Sequence, residues 1–205
     1  MALVKYNDNS ISAITSTGLA TGAMVLIKSI TASSDSTISF VDGSSDVDLD
    51  ATYPIYKFEF NSIHPSADSN QFRINFSTDG GSNYNVAKSS TVWRAIHSEG
   101  GSHGSGYNTS NDLANATGVQ ILASSLGADA DHTTQGYLWL FNPSSTTFYK
   151  HFLARVSTTE SDDGTMDFFV AGFCATTSAI NAAQFSMTSG NIDAGKIKLY
   201  GLKDS

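Results

Sequence analysis

Five histidines, one cysteine and three glutamates carry most of the reactive chemistry open to this chain. His97 and His103 flank a glycine-rich stretch, Ser98 to Tyr107, but a zinc site needs three or four ligands held at fixed geometry. No cysteine pair or short His-x-His spacing supplies the rest. Asp129-Ala130-Asp131-His132 could offer carboxylates to a hard cation at a loop tip, and Asp46, Asp48 and Asp50 fall on one face of an extended segment. In both places a solvated acidic surface is the favoured reading, so neither a metal nor a cofactor is expected. The glycine-rich stretch lacks the Gly-Lys-Ser/Thr ending of a phosphate loop. Gly104-Ser105-Gly106 has no helical pattern after it, so it is no nucleophile elbow. Glu59, Glu99 and Glu160 have no carboxylate partner at a readable spacing, and no catalytic residue is expected. Cys174 ends the apolar run 168–173 and reads as a small buried hydrophobe.

Binding is the chemistry that remains. Aromatic rings offer apolar area with a polar handle, and Trp93, Trp139, Tyr84 and Tyr107 are the rings that could stack on a sugar. Trp139 lies in Tyr137-Leu138-Trp139-Leu140-Phe141, an almost wholly apolar strand that predicts cover on both faces. It is therefore assigned to the core. Trp93 and Tyr107 border the glycine-rich stretch, and with His97 and His103 they form the candidate ligand-binding set.

The elements that must position these residues are strands. Tyr56, Phe58 and Phe60 alternate with Lys57, Glu59 and Asn61, while Phe72, Ile74 and Phe76 alternate with Arg73 and Asn75. Each run presents large side chains to one core, at about 1.5–3 kcal/mol per fully buried residue before chain entropy is counted. Further strands are read at 24–30, 37–41, 92–96, 117–125, 148–156, 166–173 and 183–187. Ile192, Ile197 and Leu199 mark a closing strand, with turns at Gly190-Asn191 and Ala194-Gly195. The segment from Ser98 to Tyr107 reads as a long exposed or disordered loop. Nothing sustains a helical period for three turns. Short strands at regular spacing argue for an all-β antiparallel sandwich. Residues 1–21 are expected to be an arm or edge segment and residues 22–205 the sandwich domain.

Only 15% of the residues are charged, and Ser, Thr, Asn and Gly take their place, as in many β-rich proteins that work outside cells. The net charge of −8 repels polyanions, so nucleic acid is excluded as a partner. No apolar run approaches the ~20 residues that span a bilayer, and membrane insertion is not expected. Met1 to Tyr6 carries one lysine and no long apolar core, so no secretory signal is expected either. That argues against a secreted lectin-like module.

The ending Ser189-Gly190-Asn191-Ile192-Asp193-Ala194-Gly195, followed by Ile197, Leu199-Tyr200-Gly201-Leu202, resembles the C-terminus of virion structural proteins of tailed phages, chiefly phages of marine bacteria and cyanobacteria. The opening Met1-Ala2-Leu3-Val4-Lys5-Tyr6-Asn7 and the segment Phe141-Asn142-Pro143-Ser144-Ser145-Thr146-Thr147-Phe148 are similar as well. This resemblance implies an eight-stranded jelly roll; periodicity alone would equally permit an immunoglobulin-like sandwich or an open barrel. It also implies a non-enzymatic virion protein made in the host cytoplasm and contacting other virion proteins. A tail or fibre component is expected, forming a homo-oligomer, a trimer by preference, and presenting loops to a host-surface glycan. A capsid decoration protein, either cement or head fibre, is the alternative.

Overall fold

The computed structural model describes residues 23–204, so the expected arm at 1–21 lies outside the described residues. Among the described residues twelve strands follow one another without a helix. They are β1 (Met24–Thr31), β2 (Thr37–Val41), β3 (Ile55–Pro65), β4 (Asn70–Ser77), β5 (Lys88–His97) and β6 (His103–Tyr107). The second half comprises β7 (Gln120–Leu126), β8 (Thr134–Phe141), β9 (Lys150–Thr159), β10 (Thr165–Cys174), β11 (Ala182–Met187) and β12 (Ile192–Leu202). Eight form one sheet in the order β1-β12-β3-β8-β9-β10-β5-β6, and four form a second in the order β2-β11-β4-β7. Every pairing is antiparallel. The all-β sandwich is therefore present, with twelve strands where the resemblance implied eight.

The core lies between the sheets and follows the alternation in sequence. Tyr56, Phe58 and Phe60 on β3 face Phe72, Ile74 and Phe76 on β4, and all six are buried. Edge-on ring contacts join the layers: Phe58 meets Phe40 at 5.3 Å and Phe185 at 5.2 Å, and Phe60 meets Phe72 at 5.0 Å. Offset and edge-on aromatic pairs of this kind add to area burial because ring edges are positive and faces negative. Phe185 sits centrally, touching rings from β2, β3 and β4. The closing strand is integral as expected: β12 lies between β1 and β3. A bulge near Gly195 brings that residue against the Ser62 carbonyl, and its φ of +112° suits glycine.

Two expectations change. The stretch 98–107 is no long loop: Ser98 and Ser102 close a short turn, and 103–107 returns as edge strand β6 paired with β5. It is an edge strand, and most of its residues stay exposed. The acidic segment 46–50 is not a strand, because Ser45 and Asp46 both have positive φ and reverse the chain. Val47 and Leu49 are nonetheless buried, and Asp42 accepts a hydrogen bond from the Leu49 amide at 2.9 Å.

Candidate ligand-binding face

All four candidate residues lie on the β5–β6 hairpin, and the register pairs them: Trp93 opposite Tyr107, His97 opposite His103. The histidine rings stack at 5.9 Å, 13° from parallel. The His103 ring nitrogen Nδ1 lies 3.2 Å from the Gly101 carbonyl oxygen. Tyr107 donates its hydroxyl to Asp112 at 2.6 Å, which fixes the ring and pushes the phenol upward in pKa.

Because side chains alternate across a strand, the residues flanking buried Val92, Phe168, Val170, Leu138 and Leu140 must point away from the core. They do so as a continuous row. Tyr107, Trp93, Phe169, Arg155, Tyr137 and Glu59 stand opposite one another on successive strands β6, β5, β10, β9, β8 and β3. A second row runs through Ala171, Leu153, Trp139 and Lys57. Trp93, Leu153 and Phe169 remain 44–48% exposed, and a shallow groove of about 670 Å³ runs between the rows. Strand spacing of about 4.8 Å makes the five positions from Tyr107 to Tyr137 roughly 19 Å long.

The charges on this face are paired within it. Arg155 lies 4.7 Å over the Phe169 ring and grips Asp167 with Nε and Nη2 at 2.7–3.2 Å. Lys57 Nζ sits 5.7 Å from both the Tyr137 and Trp139 centroids. Its ammonium pairs with Glu59 at 3.2 Å, and Lys198 reaches the same carboxylate at 3.3 Å. A hydrogen bond from Asn61, with help from the two lysines, holds the Glu59 carboxyl below its usual range. Glu59 is thereby held in a network of one amide and two ammonium groups.

Trp139 is a correction. It is half-buried on the outer face, with no second layer of described chain over it. The run from Tyr137 to Phe141 is apolar on both faces because the inner face fills the core and the outer face builds the groove. Sequence reasoning missed Tyr137, Leu153, Arg155 and Phe169 as well. The available signal was adjacent strands whose large apolar residues occupy both parities, as Phe168 and Phe169 do. Tyr84 lies off the face, where its carbonyl accepts a hydrogen bond from Asn75.

The acidic loop behaves differently from its sequence reading. Asp163, from the turn between β9 and β10, joins Asp129 and His132, so that three donor atoms lie within 4.8 Å of one another. His132 is buried and Nε2 meets Asp163 at 2.9 Å, which pins the two loops together. Cys174 is fully buried as expected, and burial pushes its thiol up to about 12.

What these observations define is an all-β sandwich whose larger sheet carries an aromatic outer face with self-neutralised charges. Compared with known proteins, the chain matches no protein family, no curated protein and no solved structure.

Proposed function

We propose that this protein is a non-enzymatic attachment component of a tailed-phage virion, of the tail or fibre class, that holds a host-surface glycan on the outer face of its eight-stranded sheet. The observation that carries the binding role is the register-matched row Tyr107, Trp93, Phe169, Arg155 and Tyr137. Rings and a guanidinium set side by side match a sugar chain, whose C–H faces stack on aromatics while its hydroxyls take hydrogen bonds. The virion setting, jelly-roll descent and trimeric assembly rest on the resemblance of the chain's ends and of its Phe141-to-Phe148 segment.

This reading moves the contact surface from loop tips to a sheet face. Affinity electrophoresis of the purified chain in gels containing host-envelope polysaccharide tests it directly. Retardation is expected, and Trp93→Ala or Phe169→Ala should weaken it severalfold, up to about tenfold, since each ring contact is worth about 0.5–1.5 kcal/mol. Native mobility in every polysaccharide tried, with unchanged phage adsorption for the variants, rejects the proposal.

The capsid-decoration alternative has one observation in its favour. Phe148, 69% exposed, and Tyr149 stand beyond the groove, an apolar extension suited to a protein neighbour. Copy number per virion separates the two: hundreds for decoration, a few tens at most for a tail or fibre.

A further inference from the structure

Lys88 opens β5 with no exposed surface at all, and Asn75, near the end of β4, is 7% exposed. A buried ammonium must find a counter-charge or give up its proton. Among the described residues no carboxylate pairs with Lys88. Its Nζ donates instead to Asn75 Oδ1 at 2.5 Å and to the Val86 carbonyl at 2.7 Å. Two acceptors suit the two N–H bonds of a neutral amine, and burial accordingly pushes the group down to about 8. About a tenth of Lys88 at pH 7, and about half at pH 8, is thus an uncharged nucleophile with no exposed surface.

Its neighbour is an oriented carboxamide. Asn75 Oδ1 also accepts from the Phe76 amide at 3.0 Å, while Nδ2 donates to the carbonyls of Tyr84 at 2.5 Å and Thr117 at 3.3 Å. These bonds fix which side of the amide faces the lysine. Because a C=O bond is about 1.23 Å long, Asn75 Cγ lies no more than about 3.7 Å from Nζ, close to the separation from which attack proceeds.

We propose that Lys88 and Asn75 become joined by an isopeptide bond after folding. The Nζ lone pair attacks Cγ, and the negative charge gathering on Oδ1 is met by the Phe76 N–H. One Nζ proton passes to Nδ2, the Cγ–Nδ2 bond breaks, and ammonia departs past the carbonyls of Tyr84 and Thr117. Atoms and electrons balance without oxidant, reductant or water. No carboxyl group among the described residues touches the pair, so the acceleration comes from holding the reactants together, for which effective molarities reach ~10⁵–10⁸ M. The bond ties the four-stranded sheet, through β4, to the eight-stranded sheet, through β5, and it removes a charge the core cannot solvate.

Intact-mass measurement of the purified full chain, before and after incubation one pH unit above the Lys88 value, tests the proposal. The expected mass is that of the sequence less one ammonia, and digestion should yield a branched peptide joining the Asn75 and Lys88 fragments. Lys88→Met, Asn75→Ala and wild-type chain kept unfolded in guanidinium should each retain the full mass. A folded wild-type chain that keeps the full mass after incubation, or that loses ammonia without forming the branched peptide, overturns it. Both of those results come from the wild-type chain, so neither requires a variant to fold.

Discussion

Cys174 stands between two buried lysines, paired across strands with Lys88 on β5 and Lys150 on β9. The two amines lower the thiol and burial raises it, and burial wins, leaving the group at about 12 against an ordinary 9.0. Between those values the unfolded chain has released a proton that the folded chain still holds, so stability falls as pH rises from about 9 to 12. The loss is on the order of 1.4 kcal/mol per pH unit. Lys150 acts in the opposite sense, since burial lowers its ammonium and makes the unfolded chain the greater proton holder below about 10.5. Urea titrations at several alkaline pH values, comparing wild type with Cys174→Ala, isolate the thiol. The variant should begin less stable but decline less steeply from about pH 9, the remaining decline at higher pH coming from the Tyr56 phenol, which burial also pushes up; parallel curves would show that the thiol is not the titrating group. None of this was readable from the sequence beyond the apolar neighbourhood of Cys174. The lysine pairing depends on register between strands far apart in the chain.

At the scale of elements, β11 is the short strand on which the aromatic core turns. Phe185 contacts Phe40, Phe58, Phe60 and Phe72, rings from both sheets. Phe185→Ala should cost about 3–5 kcal/mol, because four rings cannot close together over the space left behind. Thermal or urea unfolding measures this directly, and a loss below about 1 kcal/mol would mean that the layers repack freely. The strands themselves were legible wherever polar and apolar residues alternate, as in β3 and β4. In β8, where both parities are apolar, the strand was legible but the exposure of its outer face was not, and in β6, where neither parity is apolar, the strand itself was not. In β8 the sequence signal of a doubly covered strand and that of a strand with an open aromatic face are identical. In β6 the pattern His-Gly-Ser-Gly-Tyr has too little side chain to show a period, and pairing with β5 alone makes it a strand. Two tryptophans with opposite expectations thus share one surface, Trp93 beside Phe169 and Trp139 beside Leu153.

For the whole molecule, the acidic balance and the aromatic face act together. A net charge of −8 keeps anionic polymers at a distance, while the cations of the face are tied up within it, Arg155 by Asp167 and Lys57 and Lys198 by the one carboxylate of Glu59. Neutral host polysaccharide should therefore be retained better than its sulfated or uronic counterpart in the same gels. Preference for the charged polymer would move the contact surface elsewhere on the molecule. The sequence foretold the sandwich and the buried thiol. It did not foretell the row that crosses five strands, because only tertiary register sets those side chains abreast.

The internal pairing of Arg155 with Asp167, and of Lys57 and Lys198 with Glu59, also fixes how the protein responds to its medium. Adhesion built on stacking and on ion pairs formed within one surface has few long-range charge contacts for dissolved salt to screen. Under the proposed attachment role, such a contact keeps its grip from fresh water to brine, so a particle carrying it would hold its host across an estuary without any adjustment of its parts.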